Sequence, residues 1–221
     1  MVANIATSSN PVSNALSIGF HLVPRRGRDI IYIGREITSM PAAGEARDFV
    51  PVRIAVLTVS STRGLEDDSS GQTLSDRITA AGHLLSARKI VKDDIRAIRH
   101  IIRDWTNRGD VDVIITTGGT GLTGHYVTVE AVRPLFDKEI DGFGTLFHIV
   151  SFPKVGTSTI QSRATAGIMK GKYIFCLPGS PGACRDGWDD ILKPQFDYRH
   201  KPCNFVEIMP RLDEHMKRRK G

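Results

Sequence analysis

The sequence has no apolar run close to the roughly 18 residues that a membrane-spanning helix requires. It also contains little cysteine, and its three cysteines, Cys176, Cys184 and Cys203, form no C-x-x-C pair. An odd, scattered set of this kind is typical of a reducing compartment and does not favour a disulfide framework or a thiolate metal site. We therefore expect a cytoplasmic protein that is not integral to a membrane.

The chain carries a formal net charge of +6 but lacks a stripe of interleaved basic and aromatic residues that could stack nucleic-acid bases. Half of that charge lies in the tail 211–221, where five Lys and Arg residues accompany only Asp213 and Glu214. A short basic end is typical of a solvated surface, so we expect no nucleic-acid partner. With 40% hydrophobic and 24% charged residues, the chain has the composition of an ordinary globular protein.

The first 48 residues differ from the rest of the chain. They are rich in small and polar residues, show no hydrophobic periodicity and contain no acidic residue before Asp29. We predict that residues 1–48 are a mostly disordered extension, followed by one domain over 49–210 and the basic tail 211–221. Met40 stands just ahead of the first apolar strand, so Met1 and Met40 are both candidate translation starts.

From Pro51 onward, the sequence alternates between strand-like and helix-like patterns. A continuous apolar run predicts a strand at 53–59, and further strands are predicted at 87–91, 111–117 and 172–179. Helical spacing and capping residues, with Asp93 or Asp94 as one cap, predict helices at about 72–81, 93–105, from 128, at 142–152 and around 184–192. This alternation is typical of a three-layer α/β fold, in which helices cover both faces of a mostly parallel sheet.

Three polar or glycine-rich loops follow the predicted strands, at 60–71, 117–126 and 178–184. Ligands of such folds sit outside the carboxyl ends of the strands, so these loops are predicted to converge on one site. The stretch TTGGTGLTGHYVT, residues 116–128, is neither a Walker loop nor a G-x-G-x-x-G fingerprint. Its exposed N–H groups favour an anion, although a tight strand-to-helix turn has the same composition.

The loops and other segments between the predicted elements also contain candidate ligands for metal ions and anions. Asp68 and Asp93 are candidate Mg²⁺ ligands because carboxylates near phosphates commonly hold this ion; the alternatives are a solvated charge run and a helix cap. Ser162 and Arg163 could bind a phosphate or carboxylate, or could cap and salt-bridge a short helix. Ser180 has no partner base in the sequence, so a serine nucleophile is not predicted.

Seven segments occur in order across residues 49–205: FVPVRIAVLTVS, D-x-S-G-Q-T-L, IVKDD, TTGGTGLT, DKEIDGFGTLF, GTSTIQSRA and LPGSPGAC. Together they resemble the MoaB/MogA family of molybdenum cofactor biosynthesis proteins, and specifically its MoaB branch. The resemblance implies the MogA-like molybdopterin-binding fold, homo-trimers or homo-hexamers, and work beside other proteins of the same pathway. In active members it implies adenylylation of the molybdopterin phosphate with Mg²⁺ and ATP as cofactor and substrate.

The resemblance also assigns residues. The segment Thr117, Gly118, Gly119, Thr120 and Gly121 matches the loop for molybdopterin and nucleotide, Asp93 matches a catalytic acid, and Pro178, Gly179 and Ser180 match the pterin-side loop.

Two positions depart from the family pattern. Tyr126 stands where the family commonly has an aspartate, and Ser61 stands in place of the aspartate of S-D-[TR]. A phenol with a pKa of about 10 is neutral at pH 7 and cannot replace a carboxylate on Mg²⁺. Two hypotheses follow: an adenylyltransferase, or a carrier that binds molybdopterin without catalysis.

Overall fold

The computed structural model describes residues 47–214 and, for the backbone alone, 19–21 and 32–34. The chain divides into two units, Met1–Glu45 and Ala46–Gly221. In the first unit, strand β1 (Gly19–His21) pairs antiparallel with strand β2 (Tyr32–Gly34). The second unit holds the remaining strands and helices of the described residues.

Two predicted segments lie largely outside the described residues. The disordered extension over 1–48 is described only at β1, β2 and 47–48, and the basic tail over 211–221 only as far as residue 214. Both therefore stay predictions. Within the part of the chain that the structure describes, no helix is long and apolar enough to cross a membrane.

The second unit alternates strands and helices. Its strands are β3 (Arg53–Val59), β4 (Leu84–Val91), β5 (Val113–Thr117), β6 (Lys138–Glu139), β7 (Thr165–Met169) and β8 (Lys172–Leu177). Its helices are α1 (Ser69–Ala80), α2 (Ile95–Asn107), α3 (Thr128–Val132), α4 (Asp141–Val155), α5 (Pro181–Arg185), α6 (Lys193–Gln195) and α7 (Phe205–Ile208). A π-helical segment, Asp186–Leu192, joins α5 to α6, and 3₁₀ segments lie at Arg133–Leu135, Gly156–Gln161 and Met209–Arg211.

Strands β3 to β8 form one sheet in the order β4-β3-β5-β8-β7-β6. The first four strands pair in parallel, whereas β7 runs antiparallel to both β8 and β6. The predicted mostly parallel sheet is confirmed, but β6 and β7 are not among the predicted strands. Their local signals are weak, because β6 consists of two exposed charged residues and β7 carries a glycine at its centre.

Helices cover both faces of the sheet because successive strand residues point to opposite sides. Ile54 and Val56 of β3 pack in one core with residues of α1, α4 and the helical segments after β8. Ala55 and Leu57 pack in the other core with residues of α2 and α3. The three-layer arrangement predicted from the sequence is thereby confirmed.

Polar groups at the amino ends of the central strands are paired. Arg53, at the start of β3, donates from Nε and Nη2 to the carboxylate of Asp112 over 2.9 and 2.6 Å. The Val52 N–H donates to Nδ1 of His83 over 3.2 Å. The His83 ring is buried and lies 5.1 Å from the ring of Phe49, centroid to centroid. This edge of the sheet is therefore tied together by side chains.

Candidate functional site

A cavity of about 640 Å³ opens at the carboxyl ends of β3, β5 and β8. Its wall consists of residues 58–63, Ser70, Asp93, 117–121, 125–126, 161–162 and 178–181. The three loops that follow the predicted strands meet here, because the carboxyl ends of parallel strands share one edge of the sheet.

The glycine loop can reach this position only with glycine at two sites. Gly118 and Gly119 have φ angles of 96° and 65°, in the left-handed region that other residues rarely adopt. A Cβ on Gly118 would lie 2.3 Å from the carbonyl oxygen of Val59, and one on Gly119 would lie 2.1 Å from Thr128 Oγ1. Thr128 holds the loop in place, because its Oγ1 donates to Gly118 O over 2.8 Å and its N–H to Gly119 O over 2.9 Å.

The loop after β8 packs directly against the glycine loop. Thr117 Oγ1 donates to the carbonyl of Pro178 over 3.0 Å, and a Cβ on Gly179 would lie 2.9 Å from Gly118 Cα. Ser180 caps the amino end of α5, where its Oγ accepts a hydrogen bond from the Ala183 N–H over 3.1 Å. The residues that the sequence predicts for binding at 117–121 and 178–180 are therefore neighbours in space.

Asp93 is a buried carboxylate in the wall of the cavity, with 3% of its side chain exposed. Its Oδ2 accepts a hydrogen bond from Ser61 Oγ over 3.0 Å and lies 3.8 Å from His125 Nε2. Its Oδ1 is buried without a hydrogen-bond partner. The helix-cap alternative for Asp93 is wrong, because Asp94 caps α2 through the Ala97 N–H over 2.7 Å.

An unpartnered carboxylate oxygen is a suitable ligand for Mg²⁺, which binds one or two carboxylates and keeps several waters. The Oδ1 of Asp93 has this chemistry, and the hydroxyl of Ser61 lies beside it. Within the described residues, no group of three or more His, Cys, Asp or Glu side chains forms a metal site. The donor set therefore fits a magnesium ion shared with a phosphorylated ligand rather than an ion held by protein alone.

Asp68 does not join Asp93 at the cavity. Its side chain is fully buried and accepts hydrogen bonds from the Gly71 N–H over 2.8 Å, from Thr58 Oγ1 over 2.8 Å and from Arg88 over 3.0 Å. These donors place Asp68 as the cap of α1, behind the cavity wall. Asp68 and Asp93, the two carboxylates predicted to bind Mg²⁺, therefore do not meet in one site. Because Asp68 is buried, it is not part of a solvated charge run either.

Arg163 supports the glycine loop from behind. Its Nε donates to Thr120 O over 2.9 Å and its Nη2 to Gly121 O over 2.8 Å, while Nη1 pairs with Glu130. The side-chain hydrogen bond from Arg163 lowers the pKa of Glu130. Arg163 lines a second cavity of about 610 Å³ on the other side, whereas Ser162 lines the first. Of the two predicted anion ligands, only Ser162 faces the candidate site.

Tyr126 stands at the rim of the cavity. Its ring packs on Gly121, where an added Cβ would lie 2.5 Å from Tyr126 Cδ2, and it meets the His125 ring edge to face at 5.6 Å between centroids. Tyr126 is 41% exposed. An aromatic surface therefore occupies the rim at the position where the family pattern has a carboxylate.

Arg63 is a wall residue that the sequence did not single out. It is the sole basic residue of the loop 60–71, which was predicted to reach the site, so a signal for it was present in the sequence. The thiol of Cys184 lies 3.1 Å from Thr117 Oγ1 just below the cavity. Burial raises the pKa of Cys184 to about 11, so this thiol is not a nucleophile at neutral pH.

A profile of the family described as "Probable molybdopterin binding domain" matches residues 29–198. The chain belongs to this family. It is 50% identical over 158 residues to molybdenum cofactor biosynthesis protein B of Escherichia coli K12, with 72% of this chain and 93% of that protein covered. The protein of the same name from Staphylococcus epidermidis is 44% identical over 152 residues, with 67% and 86% covered.

Solved structures of this molybdopterin-binding domain family have the same fold. A crystal structure of a molybdenum cofactor biosynthesis protein B matches with a TM-score of 0.69 at 38% identity, covering 76% of this chain and 99% of that one. The tungsten cofactor synthesizing protein MoaB from Pyrococcus furiosus matches with a TM-score of 0.55 at 36% identity, covering 64% and 90%. The resemblance to the MoaB/MogA family and the predicted α/β fold are confirmed.

Proposed function

We propose that this protein acts in molybdenum cofactor biosynthesis by binding molybdopterin in the cavity at the carboxyl ends of the strands. The observation that carries the proposal is the direct packing of Gly118 against Gly179, which leaves bare backbone where a phosphate must approach closely. Membership of the molybdopterin-binding domain family supports this choice of ligand. Relatives named for molybdenum cofactor biosynthesis support the pathway.

The wall supplies the groups that a phosphorylated pterin requires. Backbone N–H groups of the glycine loop suit the phosphate, because they present partial positive charge without a side chain in the way. The hydroxyl groups of Ser162 and Ser180 suit the polar edges of a heterocycle. The ring of Tyr126 suits its flat face.

The proposal is tested by equilibrium binding of molybdopterin to the purified full-length protein under anaerobic conditions. We expect one molecule of ligand per chain in a titration followed by calorimetry. A dissociation constant for molybdopterin above about 1 mM would contradict the proposal.

Adenylylation of the bound molybdopterin is the second candidate function, and the unpartnered Oδ1 of Asp93 favours it. In this reaction a phosphate oxygen of molybdopterin attacks the α-phosphorus of ATP, and pyrophosphate leaves with the electrons of the broken P–O bond. A bound Mg²⁺ would supply charge neutralisation. Asp93 would hold the ion, Ser61 would hold Asp93 in place, and the glycine loop would orient the attacking phosphate.

Tyr126 distinguishes the adenylyltransferase from the carrier. If a missing carboxylate at this rim limits catalysis, Tyr126→Asp should leave molybdopterin affinity within a few fold and raise single-turnover adenylylation by about 10² to 10³. The matched control is Tyr126→Phe, which removes the hydroxyl but adds no charge and should give no increase. If the unaltered protein turns over fast and Tyr126→Asp does not increase the rate, Tyr126 does not limit catalysis. If Asp93→Ala then abolishes turnover, the catalytic charge lies on Asp93.

We also propose that the protein assembles as a homo-trimer or homo-hexamer through the outer face of α4. Besides the family resemblance, the support is a set of exposed apolar side chains on and just after this helix: Leu146, Ile149, Phe152, Val155 and Ile160. A helix that is apolar on its outer face as well as its inner one is typical of a helix covered by protein.

This assembly is tested by light scattering at micromolar concentration. Ile149→Glu should shift the mass toward the monomer, because a charge would be buried in the interface. Leu65→Glu is the matched control, since Leu65 and Ile149 are both 61% exposed but Leu65 lies outside α4. A monomeric unaltered protein would contradict the proposal.

A further inference from the structure

Arg63 is the one Lys or Arg residue that lines the candidate cavity within the described part of the chain. It forms no ion pair with any carboxylate of residues 47–214. Asp93, the carboxylate of the wall, is instead hydrogen-bonded by Ser61 and approached by His125. The cavity therefore holds a positive charge that no described side chain neutralises.

The contacts of the Arg63 guanidinium are weak and replaceable. Its Nη1 lies 3.4 Å from Gly179 O and 3.5 Å from Ser70 Oγ, both at the outer limit of hydrogen bonding. Ser70 Oγ already donates to Gly179 O over 2.7 Å, so that carbonyl has a good donor without Arg63. Arg163 differs, since its Nε and Nη2 are committed to loop carbonyls over 2.9 and 2.8 Å.

The backbone, in contrast, fixes where Arg63 starts. Ser60 Oγ accepts the N–H of Thr62 over 3.3 Å and that of Arg63 over 3.2 Å, which forms a tight turn at the end of β3. The Ser60 N–H donates to Val91 O over 2.8 Å and ties this turn to β4. The backbone of Arg63 thus lies in a fixed turn, and the N–H donors of its guanidinium are free to bind a ligand.

We infer that Arg63 binds the phosphate of the ligand and makes the cavity selective for a phosphomonoester over the same molecule without its phosphate. The inference rests on the proposed function, and it names the side chain that supplies a positive charge to the phosphate beside the glycine-loop amides. A guanidinium presents two parallel N–H donors that match two oxygens of a phosphate, and charge-assisted bonds of this kind are stronger than neutral ones.

The test compares two ligands on four proteins. The ligands are molybdopterin and its phosphatase-treated product, and the proteins are the unaltered chain, Arg63→Gln, Arg63→Lys and Arg103→Gln. Arg63→Gln should weaken binding of the phosphorylated ligand by about 10- to 100-fold and leave the affinity for the other ligand unchanged. Arg63→Lys should lose less affinity for the phosphorylated ligand, because lysine keeps the positive charge although it lacks the two parallel N–H donors of the guanidinium.

Arg103→Gln is the matched control, because Arg103 is exposed on α2 outside the cavity and the substitution removes the same charge. It should bind both ligands like the unaltered protein. An equal loss of affinity for both ligands in Arg63→Gln would overturn the inference and make Arg63 a brace for the loops. No loss for either ligand would also overturn it. If the unaltered protein binds neither ligand, the proposed function itself fails, and that result is distinct from both others.

A second measurement needs no variant. Inorganic phosphate added to the unaltered protein should compete with molybdopterin and have little effect on the phosphatase-treated product, because only the first ligand occupies the Arg63 position. Equal competition against both ligands would overturn the inference.

Discussion

The two ends of the central strands use their side chains in opposite ways. At the amino ends, Arg53 and Asp112 pair through two short bonds, and His83 accepts the Val52 N–H beneath an aromatic cluster. At the carboxyl ends, the loops consist largely of glycine, serine and threonine, and Asp93 keeps one oxygen without a partner. The same sheet therefore has one edge closed by its own side chains and another that is open to a ligand.

This difference shows where stability and binding are located. A paired group at the amino edge has little left to offer a ligand, because its donors and acceptors are already satisfied. An unpaired buried oxygen at the carboxyl edge destabilises the ligand-free protein. A ligand that gives this oxygen a hydrogen-bond donor or a metal ion removes that penalty, which favours binding. Substitutions at the two edges should therefore have separable effects.

The largest effect is expected at Gly118. In Gly118→Ala the new methyl group meets the Val59 carbonyl at 2.3 Å with φ near 96°, so the glycine loop must move away from the end of β3. Molybdopterin affinity should fall by more than about 100-fold. Gly124→Ala in the same loop is the control, because a Cβ there has no atom within 4 Å, and it should bind normally. Similar molybdopterin affinities for the two variants would contradict the conclusion that the carboxyl edge of the sheet is the binding edge.

The opposite pattern is expected at Asp112. Asp112→Ala removes the acceptor for the Arg53 guanidinium and for the Arg53 N–H, which donates to Oδ2 over 3.0 Å. The free energy of unfolding in urea should fall by about 1–3 kcal/mol, nearer the lower value because the Arg53 side chain is 43% exposed. Asp110→Ala, which breaks the exposed ion pair with Arg108, should leave the free energy of unfolding almost unchanged. Loss of ligand affinity in Asp112→Ala would contradict the separation of the two edges.

The smallest effect is the pH dependence contributed by His83. Burial lowers the pKa of His83 below its usual value of 6.5, although the nearby Asp197 opposes this shift. The unfolded chain therefore takes up a proton more readily than the folded one. The stability from neutral His83 is complete above about pH 6.5 and is lost as the pH falls from there toward the folded-state pKa. The unfolding free energy should decline with a slope of at most about 1.4 kcal/mol per pH unit.

His83→Gln should remove this part of the slope, because its amide does not titrate. His100→Gln is the control, since His100 is exposed on α2 and its loss should leave the slope intact. Urea titrations between about pH 7.5 and 5.5 measure both variants. Equal slopes in His83→Gln and the unaltered protein would show that the amino edge does not depend on a neutral imidazole.

Local patterns in the sequence determined the order of the elements. Strand β3 begins and ends where its apolar run does, at 53 and 59, and α2 follows the spacing of its isoleucines to within two residues. The co-linear motifs also determined the family, because seven short segments in the same order are specific. Strand β7 escaped prediction because its pairing with β8, rather than its own five residues, makes it a strand.

The tertiary structure alone decided what the polar side chains do. The sequence placed Asp68, Asp93 and Arg163 near one site, but the fold buried Asp68 under Arg88, left one oxygen of Asp93 unpartnered, and turned Arg163 toward Thr120, which is 43 residues away along the chain. Hydrophobic period and capping act within a few residues, so a sequence displays them directly. The partner of a charged side chain is set by contacts between distant segments, and only the folded chain brings those segments together.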